Sequence, residues 1–139
     1  STAAANKKKA AEIYDNFLGL SFSGSTEDDD GFSEAYYKGQ LSQYTTYWNT
    51  TEENTLTFNE DGSVDYLSTY DMTVLAYPKS IAKPDGYHNE YEGTYNSFSV
   101  SVSFNGTAYL KIGIDTYELL VDSDNIPKAI YDYDGMTLR

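Results

Sequence analysis

At 139 residues the chain is one domain's worth of polypeptide, long enough to bury a core of its own. A hydrophobic fraction of 40% argues against disorder, and 15 Tyr, 6 Phe and 1 Trp beside many Thr and Ser make a β composition. A net charge of −13 sets the chain against nucleic-acid binding, and the lack of cysteine rules out disulfides, thiolate metal sites and a cysteine nucleophile.

The charge is unevenly spread. Residues 1–9 hold three Lys and no acid, so residues 10–139 carry 6 basic and 22 acidic residues, a balance of −16. Residues 1–6 are small and polar and read as a flexible leader. Asn6 then caps a predicted helix over 7–18, in which Ala10, Ile13, Tyr14, Phe17 and Leu18 share one apolar stripe. Gly19 ends it. From there, residues 19–139 read as a single β domain.

Leu20 to Gly24 alternates as a short strand, and the acidic run of residues 25–31 reads as a solvated loop. Residues 34–49 predict one strand broken at Gly39. Period two places Tyr44, Thr46 and Trp48 on one face and Leu41, Thr45 and Tyr47 on the other. Residues 55–58 and 63–67 flank Asn59-Glu60-Asp61-Gly62, a hairpin loop. Residues 97–104 alternate without a fault, which predicts Phe98, Val100, Val102 and Phe104 in the core and the serines in water. Asn105-Gly106 then reads as a two-residue type I′ turn. Residues 117–121 form another strand, and Asp134-Gly135 a second two-residue turn between 130–133 and 136–138. Residues 78–90 make the longest irregular stretch.

Some eight short strands joined by hairpins must hide their edges. An up-and-down meander closing into a barrel does so, and a two-sheet β-sandwich is the alternative. The order of a Lys-rich amphipathic helix, then Phe17-Leu18-Gly19-Leu20-Ser21-Phe22-Ser23-Gly24, then Leu56-Thr57-Phe58-Asn59-Glu60-Asp61-Gly62-Ser63-Val64, and a closing Asp134-Gly135-Met136-Thr137-Leu138 resembles the lipocalin-like (calycin-type) β-barrel domains of Gram-positive surface proteins and lipoproteins. The Gly-x-Trp strand of better-known lipocalins is replaced here by Gly19-Leu20-Ser21-Phe22. The resemblance implies a barrel with a ligand mouth and an extracytoplasmic place, secreted or anchored to the cell surface.

Catalytic chemistry finds little footing. EF-hand spacing fails at residues 28–31, where Thr26 and Tyr37 would have to be the end ligands, and fails again around Asp134. No metal, cofactor or catalytic residue is called for. His88 stands alone, read as a loop residue facing solvent. The aromatic cluster is the stronger lead. Tyr44, Trp48, Tyr66 and Tyr70 are the candidate ligand-binding residues, since flat aromatic faces beside Asn, Gln and Asp suit sugar rings. The competing account is that these rings simply cover the sheet.

Two functions follow as expectations. One is a non-enzymatic extracytoplasmic binding module for a small ligand or glycan. The other is a structural or adhesion domain with a protein partner and no pocket. The membrane enters only through an N-terminal anchor expected upstream of Ser1.

Overall fold

A computed structural model describes residues 2–37 and 40–139, with side chains described for residues 2–34 and 45–139. One helix, α1 (Ala3–Phe17), precedes nine strands: β1 (Ser21–Tyr37), β2 (Gln40–Phe58), β3 (Val64–Ala76), β4 (Tyr87–Tyr95), β5 (Ser99–Val102), β6 (Ala108–Ile112), β7 (Asp115–Val121), β8 (Pro127–Tyr133) and β9 (Met136–Leu138). No described helix is long and apolar enough to cross a membrane.

The strands make two antiparallel sheets, ordered β1-β2-β3-β4 and β5-β6-β7-β8-β9. No closed barrel is formed among the described residues; two sheets are what the sandwich alternative requires. β1 and the chain end meet at one point, where Ser23 N–H donates to Arg139 O at 3.2 Å and Arg139 N–H donates back at 2.9 Å. Gly24 permits this approach, because a Cβ there would lie 2.5 Å from the Thr137 carbonyl oxygen.

The chain divides into two compact units. The first holds residues 1–24, 54–67 and 92–139, and the second holds residues 25–53 and 68–91. The first unit contains the hydrophobic core. Ile13 and Phe17 of α1 are fully buried among Phe22, Leu56, Phe58, Val64, Leu110, Ile130 and Leu138. Phe17 sits 4.5 Å from Phe58 and 5.6 Å from Phe98 between ring centroids, while Tyr14 stacks on Phe98 at 4.3 Å. The i, i+3, i+4 spacing read in the sequence is therefore the buried stripe. The helix starts earlier than expected. Thr2 caps it, its hydroxyl accepting from Ala5 N–H at 3.0 Å, so residues 3–6 are helical and Asn6 is not the cap. Asn6 donates instead to the Ser103 carbonyl at 3.1 Å.

Three hairpin loops of this unit share one design. Asn59 N–H bonds Ser63 O, Ser103 N–H bonds Thr107 O and Asp122 N–H bonds Ile126 O, leaving three residues in each loop. The third loop residue has positive φ in every case: Gly62 at 89°, Gly106 at 89° and Asn125 at 61°. An Asx oxygen braces each loop. Asp61 Oδ1 accepts from Ser63 N–H at 2.9 Å, Asn105 Oδ1 from Thr107 N–H at 3.2 Å and Asp122 Oδ1 from Ile126 N–H at 2.9 Å.

This design corrects two expectations. Asn105-Gly106 is not a two-residue turn, because the ladder stops at Val102 opposite Ala108 and Phe104 falls in the loop. Phe98 is buried and Val100 and Val102 pack on the core as expected, but Phe104 is 89% exposed. The Asp134-Gly135 turn does have the two-residue form. Tyr133 pairs with Met136, and φ is 51° at Asp134 and 78° at Gly135.

In the second unit the expected acidic loop at 25–31 is part of β1, and the stretch expected to be irregular to residue 90 becomes strand at Tyr87. Carboxylates disfavour strands intrinsically, but pairing overrides that preference. Thr50 Oγ1 donates to the Asp28 carbonyl at 3.2 Å, and Trp48 Nε1 donates to Ser33 Oγ at 2.9 Å. The expected break at Gly39 lies outside the described residues.

Candidate functional site

The second unit places its Tyr side chains by strand period. On β4, Tyr87, Asn89 and Tyr91 are two residues apart and share a face. Tyr70 of β3 joins them, its ring 6.2 Å from that of Tyr87 at an interplanar angle of 66°. Tyr87 is 51% and Tyr91 59% exposed, while Tyr70 and Asn89 are half-buried. The result is a row of open aromatic faces with a carboxamide set between two of them.

The intervening residues turn to the opposite face, where His88 lies between two carboxylates. Its Nδ1 is 2.5 Å from Asp71 Oδ1 and its Nε2 is 3.2 Å from Glu90 Oε1. Asp71, and then Glu90, hold the imidazole pKa above its ordinary value. An acceptor at each ring nitrogen favours the form in which both carry protons. In that form the ring is a cation that pairs with both carboxylates.

The four residues singled out from sequence divide. Tyr70 stands in the aromatic row. Trp48 is half-buried in the same unit and spends its indole N–H on Ser33. Tyr66 belongs to the first unit, where it lines a groove and packs on its neighbours. Its ring covers Gly93, where a Cβ would lie 2.5 Å from the phenol oxygen, and it packs on Tyr95 at 5.3 Å. The side chain of Tyr44 lies outside the described residues. Tyr87, Asn89 and Tyr91 were missed because Pro84-Asp85-Gly86 marks a turn and the residues after it were read as its continuation; the Tyr-x-Asn-x-Tyr alternation was the available signal.

Each unit also carries a cluster of polar groups. In the first unit a groove of about 540 Å³ is lined by residues that include Thr55, Thr57, Asp65, Tyr66, Glu92 and Thr94. Asp65 accepts from Thr94 Oγ1 at 2.6 Å and from Asn59 Nδ2 at 3.1 Å, bonds that hold its carboxyl below the usual range, with Thr94 the larger cause. In the second unit Asp28, Asp29 and Asp30 bring carboxylate oxygens within 4.8 Å of one another, all exposed. Exposed strand carboxylates alone do not build a metal site.

Compared with known proteins, the chain matches no family model, no curated sequence and no solved structure. The lipocalin-like resemblance rests on the quoted motifs alone.

Proposed function

We propose that the protein is a non-enzymatic binding module that holds a glycan against the face of Tyr70, Tyr87, Asn89 and Tyr91. The observation that carries this reading is the open row Tyr87-Asn89-Tyr91 on β4, backed by Tyr70. Sugar rings present apolar C–H faces and equatorial hydroxyls. Exposed phenol rings bind the former, while the Asn carboxamide and the phenol hydroxyls exchange hydrogen bonds with the latter. The charge fits as well. Residues 25–53 and 68–91 carry ten Asp and Glu against three Lys, which favours a neutral or cationic glycan over an anionic one.

The reading places the ligand on a sheet face. A lipocalin-like closed barrel with a ligand in its mouth is the finer form of the fold reading, and the binding face does not depend on it. Residence outside the cytoplasm, secreted or surface-anchored, belongs to the same proposal and follows from the resemblance.

A panel of neutral, amino and acidic oligosaccharides, titrated while amide shifts of β3 and β4 are followed by NMR, tests the reading. Shifts confined to residues 68–72 and 87–91 with a neutral or amino sugar are expected. Tyr87→Ala or Tyr91→Ala should weaken binding by roughly tenfold, the cost of losing one stacked ring. Unperturbed β4 amides across the panel, or binding unaltered in both variants, would refute it.

A further inference from the structure

Phe104 lies at the tip of the β5–β6 hairpin and is 89% exposed, although the strand before it directs its apolar residues inward. The helix start is beside it, joined by the Asn6 side-chain bond to the Ser103 carbonyl at 3.1 Å. Between the two runs an apolar groove of about 570 Å³, lined by Ala3, Lys7, Ala10, Val100, Val102 and Phe104. Lys8 is exposed in the same helical turn and Lys9 half-exposed. This end of the first unit therefore combines an unburied aromatic, an apolar groove and three of the chain's 9 basic residues.

We infer that this end is a contact surface for an anionic lipid bilayer. Charge complementarity selects the occupant. The helix has no acid in its first turn. Glu12, the nearest acid along it, is engaged by Asn125, whose Nδ2 donates to Glu12 Oε2 at 2.6 Å. Lysines held near an anionic leaflet attract it additively, while the acidic remainder of the chain is screened beyond a Debye length of about 8 Å at physiological salt. Phe104 and the groove supply the second requirement of interfacial binding, apolar area that leaves water for the boundary between headgroups and acyl chains. An acidic peptide would satisfy the lysines but gives no reason for a single phenyl ring raised on a hairpin tip.

Sedimentation with vesicles tests the assignment. The whole chain is mixed with vesicles of phosphatidylglycerol and phosphatidylcholine, or of phosphatidylcholine alone. The wild type should pellet with the first and stay in solution with the second, and raised salt should release it. Exchanging Lys7, Lys8 and Lys9 for Glu together should weaken binding on the order of 100-fold. Phe104→Ser, at a site too exposed to disturb the core, should weaken it by roughly tenfold. Tyr87→Ala should bind vesicles like the wild type, which keeps this test separate from that of the glycan face. No pelleting with anionic vesicles, equal pelleting with neutral ones, wild-type binding by Phe104→Ser, or pelleting without vesicles through self-association would each overturn the inference.

Discussion

All fifteen buried apolar side chains described in the protein belong to the unit of residues 1–24, 54–67 and 92–139. In the unit of residues 25–53 and 68–91, the one buried side chain described is Thr46. The second unit is not poor in apolar surface, for it shows Phe32, Tyr47, Leu75, Tyr77, Tyr87 and Tyr91 at 38% exposure or more. The difference lies in residue type. Ile, Leu, Val and Phe fill the first unit; eight of the 15 Tyr belong to the second. An aliphatic side chain gains only by leaving water, whereas a phenol tolerates half-exposure because its hydroxyl stays solvated. The second unit's described faces can thus remain open, the exposure on which the proposed glycan contact depends.

The largest expected effect is a test of that contrast. Leu110→Ala removes a fully buried side chain from the first unit and should cost about 2–5 kcal/mol in chemical denaturation. Leu75→Ala removes one that is 54% exposed in the second unit and should cost less than about 0.5 kcal/mol. Comparable losses would mean that the open faces contribute to folding as a core does.

The two units also differ in how far their sequences disclosed them. The first was largely legible, because the stripe from Ala10 to Phe17 and the hairpins at Asp61-Gly62 and Asp134-Gly135 are set by local rules. Its main error, Phe104, came from loop length. A three-residue loop closing on Gly106 takes Phe104 out of the ladder, while a two-residue loop would leave it in, and alternation alone cannot separate the two. The second unit was opaque. Asp28 to Asp30 and Tyr87 to Glu90 are strand by virtue of their partners, and partners distant in sequence leave no local mark. Of the candidate site, Tyr70 was singled out from the sequence and its neighbours on β4 were not.

A smaller effect sharpens the distinction between packed and open tyrosines. Gly93→Ala would set a Cβ against the Tyr66 ring in the first unit and should cost about 1–3 kcal/mol by overpacking. Combining it with Tyr66→Ala should recover part of that loss, since the clash vanishes with the ring. In the second unit Tyr87→Ala forfeits only the edge contact with Tyr70, about 1 kcal/mol or less. A double-mutant cycle on Gly93 and Tyr66 measures the coupling, and additive losses would show that Tyr66 does not lie over Gly93 in solution.

The smallest effect isolates the second unit by pH. His88 is the only histidine and the chain has no cysteine, so no other side chain ordinarily titrates between pH 6 and 8. Its folded pKa is raised by Asp71 and then Glu90. A raised pKa means that the folded form holds the proton more tightly, so the contribution is fully present below the unfolded value of about 6.5. It is lost as pH rises through the elevated folded value. The group is exposed and its pairs are screened, so the effect belongs to the strands that carry it and not to the core. Amide exchange should accordingly quicken at β3 and β4 as pH rises through that window, after correction for the intrinsic rate, with β6 and β8 unchanged. In His88→Gln the corrected rates at β3 and β4 should be flat. Parallel quickening in β6 and β8 would instead show that the two units open as one.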